Sequence, residues 1–375
     1  MRRVDSLVRG LVAVVAFAAP AVGQLPVRPN IAREADPNDW QAYYNAGVEH
    51  LVHDGRQADA DFAWASHLRP DRAEPLFGRY IAYWVQHVSE FFDYANADER
   101  TVRKPLVMRA DSLREAALRR SPFVHQGLMM LIFDRMEGRW RDDRVGQAWF
   151  ALGQANLPVA AERFGRIIQQ EPAKYGSFRF LRASIFVNSR SYDSAAAELT
   201  TLLAQLRAHD ATTIDSEYES KELLEYAMGL LHLQLRRLGP AREAFGRAVA
   251  ENAAFSAAHA MLGDLAISTH DTATALAEFT LAVETAPSDV EPHIGLGRAL
   301  LLAGRPSDAA TEFMKATSME PVYAEPYWLL ATALEAGGNT ANAAIRYGQF
   351  LERATLSDPR RSEAERKRVS REKVP

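Results

Sequence analysis

Histidines offer the first place to look for chemistry. His50 and His53 lie three residues apart in a helical stretch, with Glu49 beside them and His67 one helix further on, a spacing that two imidazole ligands of a metal ion can use. The order is not the His-Glu-x-x-His of a zinc protease, and surface histidines at the exposed end of a helix pair account for it better. Nucleophilic catalysis has less to work with. The chain contains no cysteine, no Gly-x-Ser-x-Gly elbow and no glycine-rich phosphate loop. Its carboxylates are dispersed over helical surfaces, with no pair placed for acid and base work. The sequence therefore assigns no catalytic residue, no metal ligand and no cofactor.

Composition narrows the classes further. The 375 residues are 47% hydrophobic and 25% charged, with a formal charge of −4; a nucleic-acid binder would carry a marked basic excess. The first 23 residues differ from the rest. Arg2, Arg3 and Arg9 precede the apolar run Leu11 to Ala19, and Ala21-Val22-Gly23 supplies small residues for cleavage. This predicts a secretory signal peptide, because the run is shorter than the about 20 apolar residues a spanning helix needs. Cleavage after Gly23 would remove a net +2 and leave the mature chain at −6. Without cysteine it would hold together by packing alone, as a soluble periplasmic or secreted protein with no transmembrane segment.

The elements that could position a site are helices, and they repeat. Phe245, Phe279, Phe313 and Tyr347 recur at intervals of 34 residues. Ala241, Ala275, Ala309 and Ala343 precede them by four, and Ala248, Ala282 and Ala316 follow by three. Gly229, Gly263, Gly297 and Ala331 occupy a small-residue slot ahead of each, just after Met228, Leu262, Leu296 and Leu330. A proline that ends one helix is followed five residues later by one that opens the next, as in Pro287 and Pro292 or Pro321 and Pro326. Pro70 and Pro75 do the same near the N-terminus, where Ala58, Phe62 and Ala65 restore the alanine and aromatic spacing.

With these residues the chain resembles the tetratricopeptide repeat proteins, in which antiparallel pairs of helices 34 residues long stack into a right-handed superhelix, an all-α solenoid. The resemblance is strongest over 222–357, which divides into four units, weaker over 39–72 and 141–174, and loose elsewhere. The organisation it predicts is a signal peptide at 1–23 and an extended leader at 24–38. A helical region at 39–140 follows, interrupted by a charged insertion near 94–104 and closed by an apolar helix over Phe123 to Glu137. Then come degenerate pairs and a polar linker at 141–221, the four regular units, and a charged tail or cap helix at 358–375, with Ser362 and Glu365 as a capping box. Phe350, where the pattern has alanine, suits an end unit whose outer face meets something other than a repeat.

In this family the first helix of each pair lines a groove. The resemblance places Leu223, Tyr226, Leu230 and Leu233 there, then Ala257, Ala260, Asp264 and Ile267, then Glu291, Ile294, Arg298 and Leu301, and last Glu325, Trp328, Thr332 and Glu335. Of these, Tyr226, Leu230, Asp264, Ile267, Ile294, Arg298, Leu301, Trp328 and Glu335 form the candidate peptide-binding surface. An amphipathic helix or extended peptide could lie along it; alternatively its apolar part packs on the helices of 175–207. The lysine and asparagine clamp by which some members hold a C-terminal carboxylate is not carried over, since the matching positions hold Ile294, Arg298 and Ala260. Three readings follow. The first is a non-catalytic scaffold of the cell envelope whose partner is a protein or peptide; the second is an envelope enzyme or small-molecule binder with its site in 76–140; the third is a self-assembling structural component.

Overall fold

The computed structural model describes residues 25–92, 104–124, 144–172, 176, 178–210 and 220–369. The expected signal peptide, most of the expected insertion, nearly all of the helix expected after Phe123 and most of the expected polar linker lie outside the described residues. Within them every regular element is a helix, and there are seventeen. The N-terminal group is α1 (Trp40–His50), α2 (Gly55–Leu68), α3 (Ala73–Phe92) and α4 (Lys104–Arg120); the middle group is α5 (Arg144–Gly153), α6 (Leu157–Gln170), α7 (Phe178–Asn188) and α8 (Tyr192–Asp210). The C-terminal array runs α9 (Lys221–Gln234), α10 (Leu238–Glu251), α11 (Ser256–Ser268), α12 (Thr272–Thr285), α13 (Val290–Leu302), α14 (Pro306–Met319), α15 (Ala324–Ala336) and α16 (Thr340–Arg353). Helix α17 (Arg361–Val369) ends it. Each helix packs mainly on its neighbours in sequence, so the fold is a stack of helix pairs.

The repeating aromatic explains the stack. Phe62, Phe164, Phe245, Phe279 and Phe313 are all fully buried or nearly so, and their rings lie where a small residue leaves room. A Cβ on Gly229 would come within 2.4 Å of the Phe245 ring, on Gly263 within 2.6 Å of Phe279, and on Gly297 within 2.5 Å of Phe313. Phe279 is held from both sides, since a Cβ on Gly295 in the following helix would also strike it, and Phe62 is held in the same way between Gly47 and Gly78. Each aromatic thus seals one pair against the next. Of the large residues before the small slot, Met228 and Leu330 are buried while Leu262 and Leu296 are only partly so.

Two further positions recur with the same period. The turn inside each pair needs a residue in the left-handed region: Arg236 (φ 58°), His270 (φ 57°), Gly304 (φ 70°) and Gly338 (φ 80°) occupy it in successive units. The loop between units is tied down by His259, whose Nδ1 lies 2.7 Å from Glu278 and Nε2 3.0 Å from the Ala253 carbonyl, and by His293, which meets Glu312 and the Pro287 carbonyl in the same way. Tyr327 takes this place in the last unit, its hydroxyl donating to the Pro321 carbonyl at 3.1 Å.

The end of the array is closed by α17. Ala364 is fully buried and packs with Phe350, Leu351 and Ala354, so the face bearing Phe350 meets a cap helix. That helix begins at Arg361, one residue ahead of Ser362. Ser362 is therefore inside the helix, and the capping box drawn from it does not form; Asp358 instead accepts from the Arg360 backbone N–H at 2.9 Å.

Two substitutions test this packing in opposite directions. Gly263→Leu forces a side chain into the Phe279 ring and should lower stability by about 1–3 kcal/mol in chemical denaturation. His270→Gly removes a left-handed strain from an exposed turn and should raise the thermal midpoint, by up to about 1 kcal/mol in free energy.

Candidate functional site

The chain doubles back, so that its N-terminal helices lie against the C-terminal array. At the far end Asn38 Nδ2 donates to the carbonyls of Glu352 (3.0 Å) and Ala354 (3.4 Å), and Asp36 accepts from the Leu356 backbone N–H at 2.6 Å. Nearer the middle, Val322 joins the apolar cluster of Tyr43, Trp64, Ala65 and Leu68. His67, at the end of α2, meets Glu320 at 2.7 Å. Arg120, at the end of α4, grips Asp289 through both guanidinium nitrogens, at 2.8 and 2.6 Å. Phe123 packs in one cluster with Leu224, Ala227 and Met228. A cavity of about 260 Å³ marks the seam, lined by Arg28, Asn38, Trp64 and Leu68 from one side and Pro321, Val322, Glu352 and Arg353 from the other.

This contact covers part of the groove. Leu223 packs against the core of the N-terminal helices. Tyr226 is buried, and loss of solvent pushes its phenol up to about 12, with the nearby Arg120 opposing. Ile294 is buried among Val290, Ala316 and Tyr323. Trp328 and Glu335 are engaged from the C-terminal side. The Trp328 ring packs on Tyr347 and Phe350 with the Arg360 guanidinium over it. Glu335 accepts from Lys367 at 2.7 Å and from the Tyr347 hydroxyl at 2.9 Å, and the lysine holds its carboxyl below the usual range.

What stays open is narrower than the full groove. Arg298 and Asp264 are half exposed and face each other across adjacent units at 3.3 Å. Beside them Leu230, Ile267 and Leu301 are partly buried, with Leu233 in the same condition. Along the stack these form two rows at the repeat spacing, Leu230, Asp264 and Arg298 in one and Leu233, Ile267 and Leu301 in the other. The described residues thus divide the nine candidates into a covered set and a more accessible set, in which Arg298 and Asp264 are half exposed, Ile267 and Leu301 are partly buried, and Leu230 packs partly on the helices of 178–210 as the alternative reading expected.

The histidines of the N-terminal pair do not converge. His50 binds the fully buried carboxylate of Asp61 at 2.6 Å, while His67 is turned to Glu320. Among the described residues no three metal-ligating side chains gather. Arg120, Asp71 and Asp289 escaped sequence reasoning, although one sign of them was present: each stands within two residues of the prolines that mark the ends of second helices, Pro122, Pro70 and Pro287.

The Arg120–Asp289 pair is three-quarters buried, between the exposed and interior limits. Arg120→Ala should therefore cost about 1–3 kcal/mol in denaturant unfolding. Adding Asp289→Asn to the same chain should restore part of that loss, because the stranded carboxylate is then gone.

Residues 226–290 and 294–359 match the tetratricopeptide repeat family. Among solved structures, that of YrrB, described as a TPR protein with an unusual peptide-binding site, shares 18% identity and covers 56% of this chain and 100% of its own, with a TM-score of 0.43. A crystal structure of MamA shares 15% identity over 46% of this chain and 93% of its own, with a TM-score of 0.39. A second MamA structure shares 14% over 53% and 96%, with a TM-score of 0.40. No curated protein matches the chain. The match lies within the C-terminal array, whose residues 226–290 and 294–359 are similar to tetratricopeptide repeats.

Proposed function

We propose that the protein is a non-catalytic scaffold that holds a peptide or protein segment along the open rows of the first-helix face, and that it does so in the cell envelope. The observation that carries the binding reading is the half-exposed Arg298–Asp264 pair set beside Ile267 and Leu301 on consecutive units. An apolar row flanked by a cation and an anion suits a segment with alternating apolar and charged side chains, such as an amphipathic helix or an extended strand. Trp328 contributes less than its type suggests, because its ring already packs in the terminal cluster.

The envelope setting is supported by Arg2, Arg3, Arg9, the run Leu11 to Ala19 and the small residues before Gln24. The lack of cysteine fits either side of a membrane. No helix among the described residues is long and apolar enough to cross one.

A photo-reactive amino acid at position 298 should capture a partner in intact cells, and the same group at the exposed Leu281 on a second helix should not. Arg298→Glu, which sets a second carboxylate against Asp264 on the surface, should reduce co-purification of that partner at least tenfold while moving the thermal midpoint little. Equal capture from both positions would place the binding surface elsewhere.

A further inference from the structure

The charges at the seam between the N-terminal helices and the array do not balance. Asp71 is bound by Arg69, Asp289 by Arg120 and Glu325 by Arg360, which also holds Asp358. Glu291 sits among them without a cation of its own, and its Oε1 is closed off from solvent with no hydrogen-bond partner. The charged and titratable groups facing it come from every neighbouring element: Asp71 and Arg69 from the corner between α2 and α3, Arg120 from the end of α4, Asp289 from the cap of its own helix, and Tyr323 and Glu325 from the start of the next unit. Four carboxylates already engage the three guanidinium groups, so a charge on Glu291 is a surplus held in a poorly solvated place.

We propose that the folded-back arrangement is a closed state of the groove and that ionisation of Glu291 opens it. With its proton, the Glu291 carboxyl is neutral and adds nothing to that count. Without it, a fifth carboxylate joins the four that hold the three guanidinium groups, and separation of the two arms restores water to the surplus charge. Leu223, which packs on the N-terminal helices, then rejoins the open rows as binding surface. This rests on the groove being where a partner binds, and it names the regulation of that site.

Burial pushes Glu291 up to about 7, with Asp71, Asp289 and Glu325 adding to the effect and Arg120 opposing it. The sign follows from linkage. A carboxyl raised in the closed state binds more protons there than in the open one, so its contribution to closure is complete below the ordinary value of 4.5, declines as pH rises, and is exhausted above about 7. His67 bonds Glu320 across the same seam, and replacing it leaves Glu291 to be read alone.

The chain has no cysteine of its own, so Ser112→Cys on α4 and Thr280→Cys on α12 allow one spin label on each arm. Pulsed electron resonance on the full chain, in a His67→Gln background, would read the distance between them. We expect one short distance at about pH 5 and an open population that grows on the order of tenfold by about pH 8. Adding Glu291→Gln, which keeps the shape of the protonated acid, should hold the short distance at both. Arg120→Gln should instead open the seam at both. An unchanged distance distribution without Glu291→Gln, or one that still shifts with it, would overturn the proposal. No partner enters this measurement, so its failure is distinct from a failure of the position-298 capture.

Discussion

The contact on which the structure depends is an aromatic ring pressed on a backbone that has no side chain to obstruct it. Phe279 fills the space between Gly263 and Gly295 so closely that a methyl group at either would overlap it. Because the ring touches its own pair and the next, one residue type at one spacing does two jobs: it fixes the distance between two helices and the stacking of successive pairs. Only short-range contacts are needed to propagate the array. The alanines around each ring keep the remaining helix faces close, and α17 ends the series by offering Ala364 to Phe350 where another unit would otherwise dock.

Superimposed on this local order is a contact of another kind. Residues 169, 253 and 314 positions apart are joined where the two arms meet. Those contacts use side chains at loops and helix ends, where the stack has unpaired polar groups and charge to spare. They make the two ends of the first-helix face differ. Near α9 it is covered by the chain itself, while over α11 and α13 it remains accessible.

The sequence disclosed the first kind of order well and the second hardly at all, for a physical reason. Packing inside a stack is periodic, so a ring at 245 announces its counterparts at 279 and 313, and the all-helical fold follows. The turn residues show where legibility fades even within the repeat. Gly304 and Gly338 declare a left-handed turn, whereas Arg236 and His270 adopt the same backbone with side chains that give no hint of it. The arm contact has no period. Nothing about Arg120 says that its partner is Asp289, and Leu223, which reads as a groove residue, packs on the core of helices more than a hundred positions earlier. Trp328 misleads in a related way, as its cover is the Tyr347 and Phe350 rings of α16 and the Arg360 guanidinium. Among the candidate residues, the open ones are those far from both covers.

The loop fastenings of His259, His293 and Tyr327 make each unit nearly interchangeable with the next. In a free-standing solenoid, evolution could therefore add or delete a unit with little consequence beyond length. Here the tie between Arg120 and Asp289 works like a ruler, since an extra unit between residues 222 and 288 would carry Asp289 one step beyond reach, and a missing one would bring it short. The number of units between the two arms is thus a counted quantity for this chain, and a relative of different repeat number would have to reposition those charges or leave its groove uncovered along the whole of its length.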